Sequence, residues 1–268
     1  MAGATADLKM FHDTIYWLLG QKRADTSLKA VVDQQLFLTL ASIHTTSGML
    51  QSLLFDWLAH PEYHAEITAE INEALAEFKT SGSEWTLQRV ARMRKLDSFM
   101  KESIRTNPMA FSRNLETILH TTHSLIMRLH NSHRSALRGQ VSHVQGRIHL
   151  PAGTMFHFAA DAVHHDPNKY PDPDKFDAYR FLRLREKVDP NQFHFAFVSD
   201  MNLNFGAGQH TCPGRFLAAV VLKFALILLI TRYEIKFSDG STQKPPNVFV
   251  DNTMRPDPSA KLLIKALI

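Results

Sequence analysis

The chain of 268 residues carries 30 Lys and Arg against 26 Asp and Glu, together with 15 His and one Cys. Its hydrophobic fraction of 44% is ordinary for a globular protein and excludes a disordered or fibrous chain. The single cysteine excludes a disulfide framework and favours a cytosolic or cytosol-facing compartment. The first residues also lack the basic-then-apolar layout of a signal peptide.

The positive charge of the chain is confined to one segment. Residues 117–160 contain no Asp or Glu, and their four arginines equal the whole net charge of +4. These arginines are Arg128, Arg134, Arg138 and Arg147. The rest of the chain is balanced, so its charge gives no reason to expect a nucleic acid or another acidic partner.

The N-terminal half is predicted to be helical. Residues 7–20 form the first predicted helix, and residues 28–58 form a second that is apolar on most sides, as is typical of a helix buried in a large domain. Pro61 ends the second helix. Further helices are predicted over residues 63–78, 86–93 and 97–106, the last of which stops before Pro108.

The C-terminal half is predicted to be mixed. A short strand is predicted at 154–158, followed by turns and an irregular stretch that continues to Gly208. The apolar run 216–230 is broken only by Lys223 and is shorter than the roughly 18 residues of a membrane span, so it is predicted to be a buried helix. Short strands are predicted at 233–237, 248–250 and 262–268.

The only cysteine, Cys212, lies in the sequence FGAGQHTCPGRFLA at residues 205–218. Gly206 and Gly208 allow a backbone bend that residues with a side chain resist, and Pro213 suits the first turn of a helix. A helix N-terminus favours the thiolate form of a cysteine, and a buried thiolate usually binds a metal. The alternative is an inert, buried cysteine.

The pattern Phe-x-x-Gly-x-His-x-Cys-x-Gly, with an alanine six residues after the cysteine, resembles the haem-binding loop of cytochrome P450 monooxygenases. The resemblance implies that Cys212 is the axial thiolate ligand of the iron of haem b, to which it donates electron density. It also implies that His210 contacts a haem propionate and that the ring of Phe205 packs beside the sulfur. Gly208 belongs to the same cofactor-binding loop.

A second motif places Glu102 and Arg105 three residues apart, on one face of a predicted helix. Taken alone, such a pair is most simply a solvated ion pair. Here PDPDKFDAYRF follows at 171–181, and the combination resembles the buried triad of the same family. The resemblance implies that Glu102, Arg105 and Arg180 form this triad and have a structural role behind the haem loop.

A third motif, ASIHTT at 41–46, lies in the long helix. The hydroxyl of Thr45 can bond the carbonyl of Ala41, four residues earlier. The segment resembles the helix that crosses the distal face of the haem, which implies that Thr45 holds water or oxygen for proton delivery. His44 replaces the usual acid and can relay protons near neutral pH; the alternative is an ordinary polar helix residue.

The three motifs occur in the order in which the family has them. The resemblance implies a mainly α fold with small β-sheets, the C-terminal portion of the cytochrome P450 fold, with the N-terminal half missing. Residues 1–268 form one partial domain that begins at the oxygen-binding helix. Residues 114–136 are predicted to be an irregular insertion, either translated intron or a functional insertion.

The function that the resemblance implies is a haem-dependent monooxygenase of fungal type. It would insert one oxygen atom from O2 into a hydrophobic small molecule, plausibly in secondary-metabolite biosynthesis, with electrons from an NADPH-dependent reductase. The implied location is the cytosolic face of the endoplasmic reticulum, with the cytoplasm as the alternative for a chain without an anchor. No nucleic-acid partner is expected.

Two other hypotheses stay open. One is a truncated remnant that folds poorly or does not turn over. The other is a zinc or nucleic-acid module, which the sequence supports weakly because the histidines have no accompanying cysteines and no interleaved aromatic residues for stacking on bases. Its candidate ligands are His120, His123, His130 and His133.

Overall fold

The computed structural model describes residues 15–16, 20, 27–81, 87–108, 126–127, 156–157, 160–206, 208, 211–250 and 253–267. The chain divides into two compact units, residues 1–47 and 48–268. Helix α1, Leu28–Ala59, supplies its N-terminal part to the first unit and its C-terminal part to the second. Of the helix predicted at 7–20, only Ile15, Tyr16 and Gly20 are described, and the first two are helical.

The two parts of α1 differ in burial. In the first unit its large apolar side chains are exposed, and these are Leu28, Val32, Leu36, Phe37, Leu38, Leu40 and Ile43. In the second unit Met49, Leu53, Phe55 and Trp57 are buried. The prediction that this helix is buried therefore holds only for its C-terminal part.

Six further α-helices lie among the described residues of the second unit. A 3-10 turn at Pro61–Tyr63 leads into α2, and the helices are α2 (His64–Ser81), α3 (Leu87–Arg92), α4 (Arg94–Thr106), α5 (Ala160–His164), α6 (Arg180–Lys187) and α7 (Arg215–Arg232). The predicted helices agree with α1 to α4 and α7 within a few residues. Helix α6 lies in the stretch that the sequence predicts to be irregular, because a helix of only eight residues, most of them charged, is too short for its pattern to be distinguished from a loop.

Three small antiparallel sheets complete the described fold. Strands β1 (Ile126–Met127) and β2 (Phe156–His157) pair with each other. Strand β3 (Tyr233–Phe237) pairs with β6 (Leu262–Ala266), and β4 (Val248–Val250) forms a hairpin with β5 (Thr253–Arg255). Strand β1 lies inside the predicted insertion 114–136, whose other residues are outside the described ones. The mainly helical fold with small sheets agrees with the sequence expectation.

The main core of the second unit is formed by α1, α2, α4 and α7. Leu53, Ile67, Leu96, Phe99 and Leu226 belong to one apolar cluster and are almost entirely buried. The apolar face of α7 contributes to this cluster, but other apolar side chains of α7 are exposed, including Phe216, Leu217, Val221 and Leu228. Helix α7 is therefore buried on one side only. None of the helices that the structure describes has both the length and the hydropathy needed to cross a bilayer.

Candidate functional site

The loop that carries the cysteine is folded by two glycines. Gly206 and Gly208 have φ angles of +77° and +57°, in the left-handed region that residues with a Cβ disfavour. The amide of Cys212 donates to the carbonyl of Phe205 at 2.7 Å, and the amide and hydroxyl of Thr211 donate to the carbonyl of Gly208 at 3.2 and 2.8 Å. These bonds close the cysteine loop, defined here as residues 205–212, in which residues 207, 209 and His210 are not described.

The thiol of Cys212 is half-buried and lies beside the first turn of α7. Arg215 Nη1 donates to the carbonyl of Cys212 at 2.8 Å. A Cβ placed on Gly214 would lie 3.9 Å from Cys212 Sγ. The sulfur therefore faces a helix N-terminus, where backbone amides and the helix dipole favour negative charge.

Phe205 anchors the start of the cysteine loop in the core. It is buried, and its ring contacts the ring of Phe195 edge-on, with centroids 5.5 Å apart. Its carbonyl is the acceptor of the Cys212 amide. The loop is thus held at one end by an aromatic contact and at the other by the start of α7.

Glu102, Arg105 and Arg180 come together in the core. Arg105 Nε and Nη2 donate to the two oxygens of Glu102, both at 2.8 Å, and Arg180 Nε donates to Glu102 Oε1 at 3.1 Å. The side chains of Glu102 and Arg105 have no exposed surface. Bidentate pairing of this kind offsets much of the cost of burying charge.

The triad also holds segments of the backbone. Arg180 donates to the carbonyls of Pro171, Asp172 and Lys175, and the amide of Asp177 donates to Glu102 Oε1. The proline-rich segment 171–177 is therefore folded around the arginine. This arrangement explains why a helix motif and a loop motif 78 residues apart act together.

His164 is a buried residue that the sequence analysis did not single out. Arg105 Nη1 donates to its carbonyl at 2.7 Å, and its Nε2 accepts from the amide of Leu203 at 3.2 Å. Burial, together with the positive charge of Arg105, lowers the pKa of His164 to about 3. The neutral ring is the form that can accept from Leu203, two residues before the cysteine loop.

Asp97 and Lys101 form a second polar group on α4. Asp97 accepts from Lys223 Nζ at 2.5 Å, from the amide of Phe195 at 2.9 Å and from Arg185 Nη1 at 3.3 Å. Lys101 Nζ donates to the carbonyl of Phe197 at 2.7 Å. The available sequence signal was Lys223, the single charge within the apolar run 216–230.

The electrostatics of this group follow from burial. Burial lowers the pKa of Lys101 to about 7; the charge of Asp97 opposes that shift and the charge of Arg185 adds to it. For Asp97, burial acts to raise the pKa, but Lys223, the Phe195 amide and Arg185 outweigh it and hold the pKa below the ordinary value. Asp97 is therefore ionised at neutral pH.

Thr45 and His44 lie in the first unit and are both exposed. Thr45 Oγ1 donates to the carbonyl of Ala41 at 2.6 Å, the bond that the four-residue spacing predicts. The helix continues through this position without a break. The two residues of the expected distal site are thus placed on α1, and their geometry is described only within that unit.

The donor set around Cys212 suits an iron held mainly by its own macrocycle. Within the described ranges, no group of three or more His, Cys, Asp or Glu side chains converges on a metal position. A single cysteine at a helix N-terminus could supply the one protein ligand that the iron of a haem-thiolate centre requires. His120, His123, His130 and His133, the candidate zinc ligands, lie outside the described residues.

A family model described as Cytochrome P450 matches residues 11–122 and 126–264. The chain belongs to the cytochrome P450 family. Members of this family hold a haem through a cysteine thiolate and generally take electrons from a redox partner.

Several fungal cytochrome P450 proteins are similar to this chain. Pyrichalasin C-7 hydroxylase of Pyricularia grisea is 54% identical over 97% of the chain, which covers 47% of that protein. The cytochrome P450 monooxygenases CYP3 of Pyricularia oryzae and ccsG of Aspergillus clavatus are 49% and 48% identical over 96% and 97% of the chain, and 46% and 47% of their lengths are covered. The chain spans about half the length of these relatives.

Proposed function

We propose that this chain provides the haem-thiolate portion of a monooxygenase that hydroxylates a hydrophobic small molecule. The observation that supports the proposal most directly is the cysteine loop, which holds a lone half-buried thiol at the N-terminus of α7. When bound, the haem supplies the activation of O2. One oxygen atom enters a C–H bond of the substrate, and the other leaves as water with two electrons and two protons.

The residues of the chain have separate roles in this proposal. Cys212 holds the iron, while Phe205 and Gly208 fix the loop that presents the sulfur, and His210 contacts a propionate. Glu102, Arg105 and Arg180 keep the surrounding core in place. Of these, His210 is proposed from the sequence motif alone.

Thr45 and His44 are proposed to handle water and protons on the distal side. The hydroxyl proton of Thr45 is used in the bond to Ala41, so its oxygen remains able to accept a hydrogen bond from water. His44 is exposed beside it on the same helix, and its imidazole ring can donate and accept hydrogen bonds, which suits a relay.

The substrate and the electron donor are proposed from the relatives. The name pyrichalasin C-7 hydroxylase favours hydroxylation at carbon of a fungal secondary metabolite. An NADPH-dependent reductase at the cytosolic face of the endoplasmic reticulum is the proposed source of electrons. Both statements concern the whole monooxygenase, of which the chain spans about half.

The test is a reduced carbon monoxide difference spectrum of the 268-residue chain after reconstitution with haem. We expect a band at the position of thiolate-ligated iron in the unsubstituted chain and its loss in Cys212→Ser. Thr231→Ser, at the far end of α7, is the control and should keep the band. Failure of the unsubstituted chain to take up haem would contradict this proposal and support the inactive remnant.

We also propose that residues 114–136 are an insertion relative to the family. The family match is interrupted between residues 122 and 126, inside this segment. Sequencing of the spliced transcript distinguishes the two origins. A message that retains these codons in every read rules out translated intron and leaves a genuine insertion.

A further inference from the structure

Asp97 occupies a central position between two parts of the chain that are distant in sequence. The residue is 5% exposed, and each of its carboxylate oxygens accepts a hydrogen bond. Oδ1 accepts from Lys223 of α7, and Oδ2 accepts from the amide of Phe195 and from Arg185 of α6. One carboxylate therefore connects α4 with the segment before the cysteine loop and with the helix after it.

The first connection runs through Phe195. Its amide is bonded to Asp97, and its ring packs edge-on against the ring of Phe205 at 5.5 Å. The carbonyl of Phe205 in turn accepts from the amide of Cys212 at 2.7 Å. Lys101, one turn after Asp97 on α4, adds a second bond between α4 and this segment, because it donates to the carbonyl of Phe197.

The second connection runs through Lys223. This lysine is 4% exposed and lies about two turns after Arg215, the first residue of α7. Arg215 binds the carbonyl of Cys212. Because an α-helix is stiff along its axis, an ion pair at Lys223 fixes the position of the N-terminus of α7, beside which the sulfur lies.

We propose that Asp97 is a positioning residue for Cys212, because it anchors both the segment that enters the cysteine loop and the helix that leaves it. This inference rests on the proposed function only in that Cys212 is taken as the iron ligand. The effect of Asp97 on the position of Cys212 applies to the haem-free chain as well. Asp97 does not touch the sulfur and acts through Phe195 and Lys223.

The negative charge of Asp97 is essential to this role. Lys223 and Arg185 place two cationic side chains on one carboxylate, and Lys101 and half-buried His194 lie within its electrostatic field. In Asp97→Asn the shape is kept, but Lys223 and Arg185 lose their counter-charge. Unpaired buried cations move toward water or toward new partners, which would release both connections.

The experiment is thiol labelling, which is unambiguous because the chain has one cysteine. Asp56→Asn is the matched control, since Asp56 is also a buried carboxylate, and its described bonds, to Lys244, Ser103 and Asn107, do not involve the segment 195–197 or α7. The haem-free chain and both variants are labelled at urea concentrations that give equal free energies of unfolding. Asp97→Asn should then label about tenfold faster than Asp56→Asn, which corresponds to ~1.4 kcal/mol of local stability.

A second variant keeps the proposal testable if Asp97→Asn does not fold. Lys223→Met removes only the helix connection, and Asp97 keeps Arg185 and the Phe195 amide. We expect a smaller increase in labelling, in the same direction. Equal labelling rates in the Asp97, Lys223 and Asp56 variants at matched stability overturn the proposal.

A spectroscopic measurement separates this inference from the proposed function. In reconstituted, reduced, carbon monoxide-bound samples, Asp97→Asn should convert part of the thiolate-ligated band to the band of thiol-ligated or cysteine-free iron, whereas Asp56→Asn should not. An unchanged band ratio in Asp97→Asn overturns the positioning role. Absence of any haem uptake by the unsubstituted chain overturns the proposed function, while the labelling result still decides the role of Asp97.

Discussion

Glu102 accepts hydrogen bonds from two arginines and one backbone amide in a site without exposed surface. We expect Glu102→Gln to lower the free energy of unfolding by ~3–5 kcal/mol, because Arg105 and Arg180 remain buried without a counter-charge. Urea unfolding measures the change. Glu73→Gln, an exposed position on α2, is the control and should lie within about 0.5 kcal/mol of the unsubstituted chain.

The two glycines at 208 and 240 form a natural pair for a test of backbone strain. Both have positive φ, +57° and +73°, and an added Cβ would meet nothing within 4 Å at either position. Alanine should therefore cost about 1–2 kcal/mol at each site through conformation alone. Thermal or urea unfolding of Gly208→Ala and Gly240→Ala checks this, and a much larger loss at 208 would reveal a steric role that the structure does not contain.

His164 makes the stability of the fold dependent on pH. Its pKa in the folded chain is about 3 because of burial and Arg105, against the ordinary value of 6.5. As the pH falls below 6.5, His164 is protonated in the unfolded chain but stays neutral in the folded chain. The contribution of the neutral ring is therefore complete above pH 6.5 and is lost progressively as the pH falls toward 3.

The corresponding measurement is urea unfolding between pH 7 and 4. His164→Gln keeps an acceptor for the Leu203 amide but cannot titrate. The free energy of unfolding of this variant should therefore fall less steeply as the pH decreases, with a slope that corresponds to the uptake of up to one proton fewer per molecule on unfolding. His44→Gln, at an exposed histidine, controls for the loss of one imidazole. Identical slopes in the unsubstituted and His164→Gln chains would contradict the account.

The residues that the sequence singles out are those whose partners belong to a short or characteristic motif. Glu102 and Arg105 share a helix face, and the glycines before Cys212 adopt the positive φ angles that the bend of the loop requires. Asp97, Lys101 and His164 were not predicted, because a charged or polar side chain reads as solvent-exposed until its partners, 39 to 126 residues away, are known. Burial depends on the tertiary structure and is not encoded locally.

At the scale of elements, α4 is a helix of polar composition that is buried along most of its length. Its buried residues run from Leu96 to Arg105 and include Asp97, Lys101, Glu102 and Arg105. Each of these four side chains binds the backbone of a segment outside the helix or a side chain of another helix. A helix with this composition is expected at the surface, and the loops and helices that pack around it explain its burial.

The hairpin of β4 and β5 is held by a separate polar cluster. Lys244 binds Asp56 and Asn107, each at 2.6 Å, and Asn247 binds Asn107 at 2.9 Å. Lys244→Met should release the start of the hairpin while the core stays folded, because Asp56 keeps its bonds to Ser103 and Asn107. Hydrogen exchange checks this: residues 244–255 should exchange faster by about tenfold, with α2 unchanged as the internal control.

The predicted elements were right where length and apolar pattern were strong, as in α1, α2 and α7. They were incomplete for α5, α6 and β5, which have five, eight and three residues. Such short elements do not carry enough periodicity to be distinguished from turns. They are fixed by tertiary contacts, such as the bond from the amide of Leu182 in α6 to Ser98 of α4.

At the scale of the whole molecule, each of the two units has exposed apolar side chains on a helix. Leu36, Phe37 and Leu40 of α1 are 64%, 68% and 62% exposed, and Leu217 of α7 is 65% exposed. Apolar clusters of this kind promote association. We expect the isolated chain to associate at micromolar concentration. The combined substitutions Phe37→Gln and Leu40→Gln should reduce the molar mass measured by light scattering without lowering the free energy of unfolding.

Light scattering and urea unfolding on the same samples test this expectation. Leu53→Gln, at a fully buried position of the same helix, is the matched control. It should lower the free energy of unfolding by a few kcal/mol and increase association, the opposite of the exposed pair. A gain in association for the exposed pair would contradict the assignment of these side chains to the surface.

The long sequence separations within the Asp97 cluster have a consequence for folding. Its bonds join residues 88 to 126 positions apart, so none of them forms until distant parts of the chain have come together. Cys212 should therefore stay reactive toward pulsed thiol reagents until the slowest refolding phase, and protection in the first phase would refute this order. Cys212, the proposed iron ligand, is then among the last groups of the core to reach its place, so the proposed haem would bind to a chain that is already largely folded.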